Sequence, residues 1–243
     1  MRKITYFVPI LLLIILFSSS SGEKKPTQGP KIFLPEKGWD FGYIPQGSTV
    51  SHFFKIKNIG DDTLLIVKVR AGCACTYAPL KKDLLAPQDS ASLEVVFNSK
   101  NYQGLKTMGV AIFSTDTSTL SDIYFTANIE NEFPLVQIEP LQVKFDSLKI
   151  EKSSPKKVTI LNKSTSPLQV IIVEKPKDFI DFQLSQKSLN PKEKAEIMFQ
   201  INQKAAPGPF RTNLTLDFSD GSAGEGSEKT RYTLPISGTI ISK

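Results

Sequence analysis

Apolar and polar residues alternate with a period of two through most of this chain. Val50, Phe54 and Ile56 share one parity, with His52 and Asn58 in step, while Ser51, Lys55 and Lys57 occupy the other. That spacing puts the first set toward a core and the second toward water, as in a half-buried strand. Leu93, Val95 and Phe97 alternate with Ser92 and Glu94, and Ile123, Phe125, Ala127 and Ile129 alternate with Tyr124, Thr126 and Asn128. From Leu64 to Val69 every position but Lys68 is apolar, which predicts a strand buried on both faces. Turn chemistry separates the runs at Pro45-Gln46-Gly47, Asn58 to Asp62, Ala86 to Asp89, and Gly104. No window carries the 3.6-residue period of a long amphipathic helix. The pattern predicts an all-β protein.

The pattern also repeats. A shift of 104 positions lays Phe41 on Phe145, Ile44 on Leu148, Ile56 on Ile160, Asn58 on Asn162, Leu64 on Leu168, Pro87 on Pro191, Phe97 on Ile201, Gly104 on Gly208 and Asp116 on Asp220. Core positions, turn prolines and turn glycines keep one register together, which marks a tandem domain rather than a short solenoid repeat. Thr126 to Ile129 then resembles Ser237 to Ile240, and the extra residues of the second copy fall in Gly221 to Lys229, a Gly/Ser/Glu stretch expected to be a longer hairpin loop. About seven short strands in roughly 100 residues is the arrangement of an immunoglobulin-like sandwich. The expected organisation is two tandem immunoglobulin-like β-sandwich domains after a signal peptide: residues 1–21 signal peptide, 22–30 linker, 31–131 first domain and 132–243 second domain. The Cys…Trp…Cys frame of antibody domains is absent, and Trp39 stands at the first strand instead.

The N-terminus changes the picture of where the chain works. Arg2 and Lys3 precede an apolar run from Tyr6 to Phe17, followed by Ser18 to Gly22; this is the order of a secretory signal. The run is shorter than the ~20 residues that span a bilayer, so no membrane span is expected in the mature chain, with an uncleaved anchor as the alternative. The periplasm or the cell surface is the expected destination. A net charge of +6 is spread thinly among acidic and hydroxyl residues, without the basic face that nucleic acid requires.

Asp40-Phe41-Gly42, Gly47, Lys57-Asn58-Ile59-Gly60, Cys73-Ala74-Cys75-Thr76, Pro87, Val96-Phe97 and Gly104 occur in one order. In this the stretch from Lys31 to Asn131 resembles the bacterial family called domain of unknown function 1573, within the wider class of immunoglobulin-like modules that includes sperm-protein-like and cilia-associated domains. Ala74 stands where that family usually has Gly. The resemblance implies an exported β-sandwich and no established reaction.

Candidate chemistry is sparse. Cys73 and Cys75 are the two cysteines, and the repeat places Lys177 and Phe179 opposite them. Three readings stand: a disulfide, favoured by an oxidising compartment; a pair of packing residues; or a soft-metal site for Cu(I) or Zn(II), with Met108 and His52 as the nearest soft ligands by type. An extended i, i+2 pair is roughly 6.5–7 Å apart at Cα, so a disulfide needs a local bend. His52, the single histidine, is expected at the rim of the first sandwich. Asp116, Asp122, Asp217 and Asp220 are expected to cap hairpin ends, and Trp39, Phe41 and Tyr43 to pack core and edge. Gly221 to Gly224 lacks the strand-to-helix setting of a phosphate loop. No catalytic residue, cofactor or metal is expected. The function expected is a non-enzymatic binding or structural module of the cell envelope, engaging other proteins through strand edges and end loops. The alternative is a redox or copper-type metal-handling protein using Cys73 and Cys75.

Overall fold

The computed structural model describes residues 29–118, 121–149, 153–220 and 229–242. The expected signal peptide, nearly all of the linker and the Gly221 to Gly224 stretch lie outside the described residues. The first half forms β1 (Ile32–Phe33), β2 (Gly38–Ile44), β3 (Thr49–Asn58), β4 (Leu64–Ala71), β5 (Thr76–Tyr77), β6 (Leu84–Leu85), β7 (Ser90–Asn98), β8 (Gly104–Ser114) and β9 (Ser121–Ile129). The second forms β10 (Val136–Glu139), β11 (Val143–Lys149), β12 (Lys156–Asn162), β13 (Leu168–Glu174), β14 (Ile180–Leu184), β15 (Ser188–Leu189), β16 (Lys194–Ile201), β17 (Gly208–Ser219) and β18 (Lys229–Ser242). Among the described residues no helix is long and apolar enough to cross a membrane.

Each half is a sandwich of two sheets. In the first, β1-β3-β7-β5 faces β2-β9-β8-β4-β6; in the second, β10-β12-β16-β14 faces β11-β18-β17-β13-β15. Most neighbours are antiparallel, but β2 runs parallel to β9 and β11 parallel to β18. The alternating residues read from the sequence fill two separate cores. Phe41, Phe54, Ile56, Leu93, Phe97, Ile112 and Phe125 pack in the first. Phe133, Phe145, Val158, Ile160, Ile197, Phe199, Leu216 and Tyr232 pack in the second.

The repeat extends to hydrogen bonds. The buried Asn58 side chain donates to the carbonyls of Asp62 (2.7 Å) and Leu85 (3.0 Å) and accepts from the amide of Gly60 (3.0 Å). Asn162 donates to Ser166 (2.9 Å) and Leu189 (2.9 Å) and accepts from the amide of Ser164 (2.9 Å). In both copies one buried amide satisfies backbone groups that the turn leaves unpaired. The turn residues Gln88 and Lys192, each after a proline, both hold φ 66°.

One expectation is corrected. The run Leu64 to Val69 is covered on one face only: Leu64 and Ile66 are buried, whereas Leu65 is 36% and Val67 64% exposed. The opposing sheet covers only the inner side, and a register shift between Ile66 and Lys68 leaves Val67 as the extra residue on the outer side. An apolar run thus stands for a bulge and an uncovered outer surface, not for double burial.

Phe54 is 1% exposed and Lys55 points to solvent. Phe54→Ala is expected to lower the unfolding free energy by about 3–5 kcal/mol, and Lys55→Ala by less than about 0.5 kcal/mol, in urea titrations followed by circular dichroism. Equal losses at the two neighbours would contradict the assigned faces of β3.

Candidate functional site

Beyond β4 the chain turns sharply through Gly72 to Cys75. Cys73 and Cys75 are joined by a disulfide, with Cα atoms 5.2 Å apart, closer than an extended pair. The bend is held from three sides. The Thr76 amide donates to the Cys73 carbonyl (3.3 Å), the Gly72 amide to Gly109 (2.9 Å), and the Asn98 amide to the Cys75 carbonyl (2.9 Å). Ala74 is solvent-exposed. It needs no glycine, because the non-glycine residues with positive φ among those described are Gln88 and Lys192. Cys75 packs on the first core. The buried Thr76 hydroxyl lies 3.3 Å from Cys73 Sγ and 3.7 Å from Cys75 Sγ. A disulfide sulfur carries no proton, so the hydroxyl is the donor. Met108 packs on the first core, and among the described residues no three His, Cys, Asp or Glu side chains gather as metal ligands.

The second cluster is one that the sequence did not reveal. His52 lies at the junction of the two sandwiches rather than at the rim of one. Its Nδ1 is 2.8 Å from Glu174 Oε1, on β13 of the second sandwich, and its Nε2 is 3.0 Å from Glu36 Oε2, ahead of β2. Each ring nitrogen faces a carboxylate, an arrangement that favours the protonated ring, in which both nitrogens donate. Burial alone favours the neutral ring, but hydrogen bonds and attraction from Glu174 and Glu36 outweigh it and hold the pKa above the ordinary 6.5. The imidazole stacks on Trp39, with centroids 3.8 Å apart and 7° between planes. Arg231 lies over the same indole at 5.4 Å, a cation–π contact, and donates to Asp217 through Nε (2.7 Å) and Nη2 (3.1 Å).

Further contacts run through this junction. The Ser51 amide donates to Asn213 Oδ1 (2.9 Å), and Asn213 Nδ2 donates to Glu174 Oε2 (2.9 Å). The Thr233 hydroxyl donates to the Phe41 carbonyl (2.7 Å). Tyr43 and Tyr232 pair in register, which fuses the two larger sheets into one. Gly42 makes this crossing possible: its φ is +63°, and a Cβ there would stand 2.3 Å from the Arg231 carbonyl oxygen. The Asp40-Phe41-Gly42 motif is therefore divided by task. Phe41 enters the core, Gly42 admits β18, and Asp40 accepts from the Gly42 amide (2.9 Å) and the Thr126 hydroxyl (2.7 Å).

The acidic residues do not form one group. Asp116 caps its turn, accepting from the amides of Ile32 and Ser118, both at 3.0 Å. Asp122 is exposed on β9. Asp217 is not a cap: it is buried in β17, and burial works against its charge, yet Arg231 and Lys229 hold its pKa below the ordinary carboxylate value. Asp220 follows β17 in the second half. Of the aromatic trio, Trp39 and Tyr43 serve the junction and Phe41 the core. His52 parity was legible, but no spacing signalled Glu174, 122 residues away.

Removing His52 leaves Glu174 half-enclosed without its cation. His52→Ala is expected to cost about 3 kcal/mol near pH 6, the lower end for breaking a buried pair. A histidine whose pKa is raised on folding stabilises fully below its unfolded pKa, and that contribution is lost as pH rises through the folded pKa. The difference between wild type and His52→Ala should therefore shrink from about pH 6.5 upward. Urea titrations across that range measure it, and a difference that grew with pH would contradict the imidazolium.

Residues 33–129 match the family described as Protein of unknown function (DUF1573). No curated protein matches the sequence. Among solved structures, a protein of unknown function from Porphyromonas gingivalis W83 is 10% identical with a TM-score of 0.37, over 86% of this chain and 99% of that one. The periplasmic chaperone SfaE is 13% identical with a TM-score of 0.32, over 88% and 100%. The Pseudomonas aeruginosa CupB2 chaperone is 8% identical with a TM-score of 0.30, over 83% and 100%. Asp40-Phe41-Gly42, the Asn58 turn and the Cys73–Cys75 bend all lie inside residues 33–129, the part of the first domain that matches the DUF1573 family.

Proposed function

We propose that the chain is an exported, non-enzymatic binding module of the bacterial cell envelope, and that a partner protein docks on the outer face of β4, β6 and β8. The observation that carries this reading is an apolar surface that the fold does not require. Leu65 (36% exposed), Val67 (64%), Leu84 (56%) and Phe113 (42%) stand on that face. Leu65 is paired with Leu84, and Phe113 lies across from Lys68 beside Val67. The second sandwich pairs Gln169 with Ser188 at the positions of Leu65 and Leu84, with side chains hydrogen-bonded at 3.1 Å; its bulge lies two residues farther along, between Ile172 and Glu174, and a buried Asp217 stands at the position of Phe113. One face of an antiparallel sheet ordinarily meets water with polar side chains, and contiguous exposed apolar residues mark interaction sites.

The edge strands β1, β5, β6 and β15 have two residues each, too short to template an added strand. The longer edges are β10 and β14, with four and five residues, and β11, which pairs with β18 and has seven. The polar, positively led N-terminus and its apolar run from Tyr6 to Phe17 support export.

The second copy supplies the test. A variant carrying Leu65→Gln, Leu84→Ser and Phe113→Asp is expected to change stability by no more than ~0.5 kcal/mol per surface site. A photo-crosslinker at Lys68 should join the wild-type chain to one envelope protein, and the triple variant should lose that product. Intact-mass measurement of the chain from the periplasmic fraction should show loss of residues 1–21. Crosslinking that survives the triple change, or a chain retained in the cytoplasm, would overturn the reading.

A further inference from the structure

We infer that Cys73–Cys75 is a thiol–disulfide exchange site that oxidises cysteine thiols presented on an extended polypeptide. The sulfurs themselves carry this inference, which holds whether or not the apolar face of β4, β6 and β8 binds a partner.

The bond has no structural task. In the second sandwich the Ile180 amide donates to the Lys177 carbonyl (2.9 Å) and the Asn202 amide to the Phe179 carbonyl (2.9 Å). These are the counterparts of Thr76 to Cys73 and Asn98 to Cys75, each 104 positions on. The same turn therefore closes with the same two hydrogen bonds and no cysteine. A ring with one residue between its cysteines also removes little freedom from the unfolded chain. A disulfide that neither makes the turn nor restrains the unfolded state is free to open and close.

The pair is half-buried, with Ala74 between its members in solvent. Cys75 packs on the core, so an external thiolate meets Cys73 Sγ. Attack there forms a bond from the incoming sulfur to Cys73 and breaks the Cys73–Cys75 bond, with Cys75 leaving as a thiolate. A second thiol of the substrate then attacks the incoming sulfur of the mixed disulfide and releases Cys73. The substrate dithiol becomes a disulfide, the protein gains two electrons, and the two protons shed by the substrate thiols end on Cys73 and Cys75. The Thr76 hydroxyl is within reach of both sulfurs, so its single proton serves whichever sulfur carries charge.

A shallow groove of about 440 Å³ ends at Gly72, the covalent neighbour of Cys73, and is lined by Arg70, Gly109, Phe113 and Tyr124. Gly72 and Gly109 lie side by side through their backbone hydrogen bond, giving a floor without side chains on which another backbone can rest. Tyr124 and Phe113 stand exposed beside it. This suits a polypeptide with apolar residues flanking its cysteines better than a small soluble thiol.

The test uses the full folded chain and two reductants: dithiothreitol, and a synthetic Cys-x-x-Cys peptide with flanking aromatic residues. Alkylation and mass spectrometry follow the thiols of Cys73 and Cys75 under native conditions. Both reductants should open the bond while the circular dichroism spectrum stays native, and Cys73→Ser with Cys75→Ser should fold with that same spectrum. Thr76→Val should slow exchange with both by about tenfold, the loss of one hydrogen bond to a charged sulfur, and Thr76→Ser should restore it. Tyr124→Ala should slow the peptide by about tenfold, in line with one lost aromatic contact, and leave dithiothreitol unchanged. A bond that opens only when the chain unfolds, or a double Ser variant that fails to fold, would make the pair structural and overturn the inference. If Tyr124→Ala slows both reductants or neither, the polypeptide substrate is refuted. Capture of a docking partner by the double Ser variant separates failure here from failure of the docking reading.

Discussion

The close crossing of β2 and β18 at Gly42 is the constraint on which the arrangement of the two sandwiches depends. A side chain there would meet the Arg231 carbonyl, and a left-handed backbone is needed at the same residue. With that approach allowed, Tyr43 pairs with Tyr232 and the two larger sheets become continuous. The crossing then brings Arg231 over Trp39, which stacks on His52, and sets His52 between Glu36 of its own sandwich and Glu174 of the other. A short motif at the start of β2 thus sets a junction whose other half lies nearly two hundred residues away.

The junction is polar where the two cores are apolar, and that difference separates their roles. Each core gains stability from area removed from water, without preference for direction. The junction gains its energy from oriented donors and acceptors, which fix one relative placement and leave little for any other. The Glu36–His52–Glu174 arrangement adds a dependence on protonation that neither core has. That contribution is lost as pH rises through the raised pKa of His52.

Two near-identical frameworks in one chain act as an internal control for function. Where both copies agree, as at Asn58 and Asn162 or at Gln88 and Lys192, the residue serves the fold. Where they differ while the backbone agrees, the fold does not explain the choice. Leu65 and Leu84 against Gln169 and Ser188 are one such set, and Cys73 and Cys75 against Lys177 and Phe179 are another. Both sets lie on the first domain, the part that matches the DUF1573 family.

Local periodicity carries strand identity, so the sequence alone determined the β class, the repeat of 104, the core parity of Phe54 and Leu93, and the turn roles of Asn58 and Pro87. These depend on neighbours a few residues apart, where side-chain direction follows from backbone geometry. The run Leu64 to Val69 misled, because apolar character says what a residue prefers and not whether anything covers it. The bend that joins Cys73 to Cys75 likewise came from hydrogen bonds to Gly109 and Asn98, distant in sequence. Only the tertiary structure decided that His52 meets Glu174, that Asp217 is a buried partner of Arg231, and that Gly42 is a crossing point. Each of these is a contact between elements whose separation in sequence leaves no periodic trace, fixed by how two finished sheets pack.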